Sequence, residues 1–549
     1  MSMLKRCRPR RTLGAFAGAP VLALMLLLGT GRAAAAAYDV CPNGCPYMQL
    51  APALAAAHDG DTITIGPGTY AGGVTIDVSV ALQGAGAAST IVSGGGPVLT
   101  IGELGAASEP TVSISGMTIT GGVSTSSGEC GPSCGTGYVT ATALGGGIEV
   151  PPGAGSIGAS VTIRDSVISA NRASPTRTVP SVRAICPGEV PCRFALAGGG
   201  GIDNWGAMTL IRSTVTGNEV SGAVSDADGG GILNMAGTLT LTNSVITGNR
   251  SSASAPNGRF ADSGALFLAG GTLAMSNSSV TNNSATLAAA FPSSVALGVD
   301  AGAIHLAFRA QSATISNTTI SGNAATMTNS VGDAFAGSAG VHADIDVSVN
   351  PDLFTLTNDV IANNHVTSST VGASSGNADG SSGAGEISGT MTNIRVTGNT
   401  VDVSAANGDA NGEGGATVFD GGTITNSVLA DNHVHVSSPH GSASVSGGGI
   451  FVAVGLTLRN TAVTGNTGSV SGASGNALGG GIYDVAFPFG QDGPPGGPLV
   501  LQNSAVTGNA LTGSAGLTLQ GGGVYTSGEP LTRINSTIAN NSPDQCVGC

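Results

Sequence analysis

The sequence predicts an all-β fold: a right-handed parallel β-helix (β-solenoid) of about 13 coils with a short N-terminal capping helix. Three observations predict it. An asparagine-marked kernel recurs along the chain, its apolar positions demand two corners per copy, and a glycine signature opens most repeats.

The kernel is clearest at 239–249, L-T-L-T-N-S-V-I-T-G-N. Its second Asn recurs at Asn171, Asn218, Asn249, Asn283, Asn323, Asn364, Asn399, Asn432, Asn466, Asn509 and Asn541. Six residues earlier stands another Asn in nine copies, with Asp165 and Arg212 as the two exceptions. The residue three after this first position is always apolar, and the one two before it is apolar except at Arg533. Those two positions are five apart, so one straight strand would send them to opposite faces. Both point inward only if the chain turns at the Asn, a residue that tolerates left-handed backbone. Gly, Asn or Asp precedes the second Asn in every copy except at Ala170, which predicts a second left-handed corner.

The glycine signature supplies a third strand, at Gly145–Ile148, Gly199–Ile202, Gly229–Ile232, Gly447–Ile450, Gly479–Ile482 and Gly521–Val524, with weaker versions near Gly264, Gly302 and Gly340. Spacing between second-corner Asn residues varies from 31 (Asn218 to Asn249) to 47 (Asn171 to Asn218). The variable part, rich in Ala, Ser and Gly, falls at one place in the repeat. Loops are therefore expected along one edge.

Ahead of the kernel, residues 1–37 read as an export signal: a basic region from Lys5 to Arg11, an apolar run over 13–28 and small residues at 33–37. Gly14, Gly18 and Pro20 interrupt that run, so no membrane span is expected after cleavage. Residues 38–58 are expected to form an N-terminal cap, with a helix over Met48–His58. Strands are expected at Thr62–Ile65, Val74–Ile76, Val80–Leu82, Thr90–Val92, Val98–Ile101 and 112–119, with a turn at Gly66–Gly68. The β-helix takes 59–542, and 543–549 is a tail carrying Cys-x-x-Cys.

Composition agrees. Ninety glycines and 3% aromatics suit short strands joined by tight corners, and 41% apolar content opposes disorder. Beyond residue 37 twelve arginines and no lysine face 32 acidic residues, a formal charge of −20. Such a surface repels nucleic acid and anionic lipid. Eight cysteines in four close pairs, Cys41/Cys45, Cys130/Cys134, Cys186/Cys192 and Cys546/Cys549, read as local disulfides of an oxidising compartment; the rival is a zinc site at Cys546-x-x-Cys549.

H-D-G-D-T-I-T-I-G-P-G-T-Y (58–70) followed by V-A-L-Q-G-A-G (80–86) resembles the opening of secreted bacterial parallel β-helix proteins of the pectin-lyase-like superfamily. The G-G-G-I and L-T-L-T-N-S-V-I-T-G-N units resemble the repeats of polymorphic outer-membrane-protein-like β-helices. The resemblance covers nearly the whole chain beyond the signal. It implies the fold and export, and leaves the activity open, because this fold hosts lyases, hydrolases and adhesins alike. Pectate lyases are expected to use clustered acidic residues for calcium and basic residues for a uronate substrate, and neither constellation stands out here. No stretch before Cys549 resembles an autotransporter barrel, so anchoring of that kind is not expected.

Candidate chemistry lies one residue after each glycine signature, on the side facing away from the coil core. There Glu149 and Asp203 are expected as neighbours on consecutive coils, about 5 Å apart, the separation a retaining glycosidase needs. Trp205, the only Trp, and Arg177, Arg183 and Arg193 lie near them and could hold a glycan. Phe451, Tyr483 and Tyr525 are expected to form an aromatic ladder, either stacking on sugar rings or stabilising adjacent strands. His305 and His342 with Asp300, Asp344 and Asp346, and the fragment Asp226-Ala-Asp228-Gly, offer weak metal patterns, so neither metal nor cofactor is expected. A secreted or cell-surface structural or adhesive protein without catalysis is the function expected. A polysaccharide hydrolase or lyase centred on Glu149 and Asp203, or a non-catalytic glycan-binding module, are the alternatives. A carbohydrate or cell-surface ligand is the expected partner.

Overall fold

The computed structural model describes residues 37–125, 139–155, 157–175, 193–222, 226–254, 259–295, 297–345, 350–372, 374–485, 497–527 and 531–549. The expected signal segment lies outside the described residues, apart from Ala37. Among the described residues the strands form sheets of 27, 16, 14 and 4 members. Successive coils pair in parallel, as where Ala207–Ile211 lies between Ser160–Arg164 and Thr238–Thr242. The fold is the right-handed parallel β-helix that the repeats predict.

Both predicted corners are present in every copy. All eleven first-corner residues have positive φ, from 48° at Arg212 to 59° at Asn358, and all eleven residues before the second Asn range from 50° to 69°. The exceptions at the first corner explain one another. Arg212 lies one coil after Asp165 and grips it with two hydrogen bonds, Nε to Oδ1 at 2.7 Å and Nη2 to Oδ2 at 2.8 Å. Elsewhere amides stack at that corner, as where Asn393 donates to Asn358.

The second-corner asparagines are buried and form one continuous amide column. Each Nδ2 donates to the Oδ1 of the next Asn at 2.9–3.0 Å, from Asn171 to Asn541. The same Oδ1 accepts the backbone N–H of the preceding Asn, as Asn283 does from Asn249 at 2.9 Å. A buried amide is tolerated only when its donors and acceptor are paired, and here the repeat pairs them.

The insertions depart from expectation. Among the described residues the chain leaves the second corners before Asn541 as a strand, such as Glu219–Gly222, and returns as another, such as Asp226–Asp228. These outgoing and returning strands stack into a side lobe with its own core, including Val220, Ala227, Ala253, Ala261, Leu287, Val401 and Val434. Small apolar residues at every second position, which read as low-complexity sequence, are what let two thin strand layers close on each other. The main coil is filled instead by Ile, Leu, Val and Met, such as Ile202, Met208, Leu210 and Val215.

A waist joins the two lobes, and the glycine signature builds it. A Cβ on Gly201 would lie 2.7 Å from the Gly231 carbonyl oxygen and 3.0 Å from the Asn218 side chain, a tight fit at this coil, while Ala265 and Ala303 hold the equivalent position on later coils. Gly199 turns the returning strand at φ +58°.

At the N-terminus the strand Ala37–Val40 pairs with Thr62–Ile65, and the helix Leu50–Ala56, shorter than expected, buries Leu50, Ala53 and Leu54 over the first coil. The segment Gly68–Ala71 is a strand where a turn end was expected, pairing with Thr90–Ser93. Cys546–Val547 makes a short final rung on Val524–Tyr525. Disulfides join Cys41 to Cys45 and Cys546 to Cys549, while Cys130, Cys134, Cys186 and Cys192 lie outside the described residues. Among the described residues no helix is long and apolar enough to cross a membrane.

Candidate functional site

The residue after each glycine signature does face away from the main core, and parallel pairing aligns these residues in one column. In order it holds Thr100, Glu149, Asp203, Leu233, Phe267, His305, His342, Glu386, Val418, Phe451, Tyr483, Tyr525 and Val547. The column is not an open surface. It lies in the angle between the main coil and the returning strands, so the side lobe shields much of it.

Glu149 and Asp203 are register partners, as expected. Asp203 is only 1% exposed, with its coil neighbour Leu233 fully buried beside it. Burial pushes its carboxyl well up, the adjacent Glu149 adds to this, and a hydrogen bond from Trp205 opposes it. Asp203 Oδ1 has no hydrogen-bond partner. Burial also raises Glu149. The pair therefore favours proton retention in a low-dielectric recess. Trp205 adjoins it as expected. Arg177 and Arg183 lie outside the described residues, and Arg193 opens the returning strand Arg193–Gly198.

The aromatic ladder forms. Phe451 and Tyr483 have ring centroids 5.5 Å apart and tilted by 41°, and Tyr483 and Tyr525 are stacked at 5.5 Å and 24°. Phe451 packs in a small cluster with Val418 and Ala453, leaving Tyr483 and Tyr525 half-buried at the rim. The ladder thus caps the waist, and only two of its three rings are open enough to meet a sugar.

The densest polar station lies between these two. His305 and His342 are neighbours on adjacent coils, their rings edge-to-face at 4.9 Å, and Phe267 closes the other side of His305 at 4.8 Å. Asp344, two residues after His342, reaches both: Oδ2 lies 3.1 Å from His305 Nε2 and Oδ1 lies 3.1 Å from His342 Nε2. Glu386 Oε2 stands 3.5 Å from His342 Nδ1. From the returning strands come Asp262 and Asp300, each with an oxygen within 4.8 Å of a His305 ring nitrogen.

The electrostatics follow from this crowding. Burial opposes charge on His342, but hydrogen bonding to Asp344 and the fields of Glu386, Asp344 and Asp300 outweigh it and push the imidazole up to about 9. His305 is lowered, chiefly by burial, although Asp344 opposes. Asp344 itself is held well below the usual carboxylate range, because its two histidine partners outweigh its partial burial. On the returning strands burial raises Asp228 and Asp262, reinforced by the neighbouring carboxylates including Asp300. Burial also pushes Asp226 up to about 6 against the nearby Arg259. Asp226, Ala227 and Asp228 of the fragment Asp226-Ala-Asp228-Gly make up one whole returning strand.

Sequence reasoning placed His305, His342, Asp300 and Asp344 near one another but missed Glu386 and Asp262. Glu386 follows Gly383-Ala384-Gly385, which lacks the Ile that marks the column elsewhere. Asp262 ends an insertion whose strand character small residues conceal. Asp346 lies outside the described residues.

Fold and site together define a parallel β-solenoid with a shielded polar column along its waist. No family model and no curated protein matches the chain. Among solved structures, the A-module of the mannuronan C-5 epimerase AlgE6 from Azotobacter vinelandii is similar over 89% of this chain and 92% of that one, at 11% identity and a TM-score of 0.28. That likeness is too distant to bear on activity, and the fold rests on the strand register itself.

Proposed function

We propose that this chain is a secreted or cell-surface β-helix whose role is structural or adhesive, without catalysis at Glu149 and Asp203. One observation carries the reading: Asp203 is only 1% exposed beside the fully buried Leu233, so of the pair only the half-buried Glu149 has any access to a polymer. A glycosidase needs both groups at the substrate, one to protonate and one to attack. Export is supported by the basic and apolar leader, by the two disulfides, and by the resemblance of 58–70 and 80–86 to secreted β-helices of the pectin-lyase-like superfamily. The resemblance of the repeats to polymorphic outer-membrane-protein-like units supports a place at the cell surface.

A second reading, non-catalytic glycan binding, is favoured by a groove of about 540 Å³ on the side lobe, lined by Asp402, Ser404, His435, Ser437, Ser469 and Thr512. Hydroxyl, carboxylate and imidazole groups in a shallow groove match the hydrogen-bonding edge of a sugar.

The test is a glycan array with the chain lacking residues 1–37, followed by product analysis on every glycan retained. No binding, or binding without cleavage, is expected. New reducing or unsaturated ends that disappear in Glu149→Gln or Asp203→Asn would overturn the non-catalytic reading. Retention lost on Asp402→Asn together with His435→Gln would establish the glycan-binding reading.

A further inference from the structure

The geometry points to a divalent transition-metal site at the waist, with His305, His342 and Asp344 as ligands and Zn²⁺ as the ion that fits best. One ligand atom from each of the three residues lies within 4.8 Å of the other two. Asp344 Oδ2 lies 3.1 Å from His305 Nε2 and Oδ1 lies 3.1 Å from His342 Nε2, each near the ~3.3 Å between ligands of a tetrahedral ion bonded at ~2.0 Å, so the carboxylate can present either oxygen beside an imidazole ligand. Two imidazoles and a carboxylate suit zinc and its neighbours, whereas calcium and magnesium prefer all-oxygen shells.

The surroundings argue for metal more strongly than the triad alone. A metal-bound histidine usually donates its other ring N–H to a carboxylate, which fixes the ring. Around His342, Ser338 Oγ lies 3.4 Å and Glu386 Oε2 3.5 Å from Nδ1, while Nε2 faces Asp344. His305 is only 4% exposed, its Nε2 is on Asp344, and its Nδ1 has no hydrogen-bond partner. An orphaned ring nitrogen so deeply buried is costly unless something else uses it. Asp262 and Asp300 lie within ligand distance of that same imidazole and can accept the Nδ1–H that metal binding at Nε2 would fix. Asp344 is 44% exposed along its side chain, which leaves a route from solvent to the site.

The fit is also one of charge. Asp344, Glu386, Asp262 and Asp300 converge on two imidazoles without an arginine or lysine among the contacts of the site. A dication supplies the missing positive charge. Such an ion would tie His305 and His342 on the main coil to each other through Asp344.

The experiment uses the disulfide-bonded chain lacking residues 1–37, stripped with chelator and titrated with Zn²⁺ alone by calorimetry, and with Co²⁺ by visible absorption. One ion per chain is expected, with the intense d–d absorption of four-coordinate Co²⁺. Millimolar Ca²⁺ should not displace it. Asp344→Asn and His342→Gln should each weaken affinity at least tenfold, while His435→Gln, on the side lobe, leaves it unchanged. A thermal melt checks folding and gives a second readout: saturating Zn²⁺ should raise the Tm of the parent chain and not that of Asp344→Asn. Absence of saturable binding, binding undiminished in both waist variants, or equal loss in His435→Gln would each overturn the assignment.

Discussion

The main coil and the side lobe share one backbone register, yet they are filled differently. In the coil, Leu241 sits between Leu210 and Met275, and large aliphatic side chains hold opposing walls apart. In the lobe, Ala253 sits between Gly222 and Leu287, and the walls nearly touch. The difference teaches that hydrogen bonding sets the axial repeat of a solenoid while side-chain volume sets its width. It also explains the polar column. Residues leaving the wide coil toward the thin lobe enter the angle between them, where groups expected in solvent become shielded.

The contrast is broken most severely in the coil. Leu241→Ala should cost about 2–5 kcal/mol, because neighbours locked by the coils above and below cannot collapse into the void. In the lobe the damaging change runs the other way: Ala253→Leu should cost about 1–3 kcal/mol by overpacking. Denaturant unfolding of both variants measures this, and a harmless Ala253→Leu would show that the lobe is loosely packed.

A smaller effect is expected at the border between the lobes. Asn283→Ala removes the acceptor used by the backbone N–H and the Nδ2 of Asn249, and the donor used by the Ile246 carbonyl. The cost should be about 1–3 kcal/mol, the penalty for buried groups left unpaired. Hydrogen exchange should show faster exchange at the Asn249 amide. Unchanged protection there would mean that the amide column does not hold the corner.

The mildest expected effect is one of pH. Asp203, Asp228 and Asp262 are raised, chiefly by burial, and Asp226 and Asp359 are pushed up to about 6. A carboxyl whose folded pKa exceeds its unfolded value of about 3.9 binds its proton better in the native state. Its contribution is present below about pH 4 and is lost as pH rises through the folded value. His342, pushed up to about 9, has the same sign, its contribution fading between about pH 6.5 and 9. His305, lowered chiefly by burial, has the opposite sign and loses stability as pH falls below its unfolded value of about 6.5, whereas Asp344 opposes only in strong acid. In chelator, Tm should therefore be higher at pH 5 than at pH 8, and the reverse order would refute the burial of these carboxyls. Asp359→Asn should flatten part of the slope between pH 4 and 6.

Much of this was legible in sequence, for physical reasons. A left-handed corner and a buried amide each favour a particular residue type locally, so twenty of the twenty-two corners could be read from Asn, Asp and Gly, with Arg212 and Ala170 as the exceptions. The alignment of Glu149 with Asp203 was readable because both follow explicit glycine signatures. The side lobe was not, since Ala and Ser at alternate positions lack the aliphatic bulk that marks a strand. That omission hid Asp262 and turned shielded groups into apparent surface groups. His305 and His342 were seen, but their significance depends on Glu386 and on returning strands that no spacing announces.

The amide column has one consequence beyond stability. One N–H of each Nδ2 points to the next coil's amide and the other back to a carbonyl of the preceding coil, so the amide-to-amide bonds of the column all run in one direction, as peptide units do along an α-helix. The rod therefore carries an internal electrical polarity. Gln545 terminates it: its Oε1 accepts the final Asn541 amide, and its own Nε2 folds back to the Asn541 carbonyl at 3.0 Å. The last donor is thus spent inside the molecule, and the wire ends without a live contact at its tip.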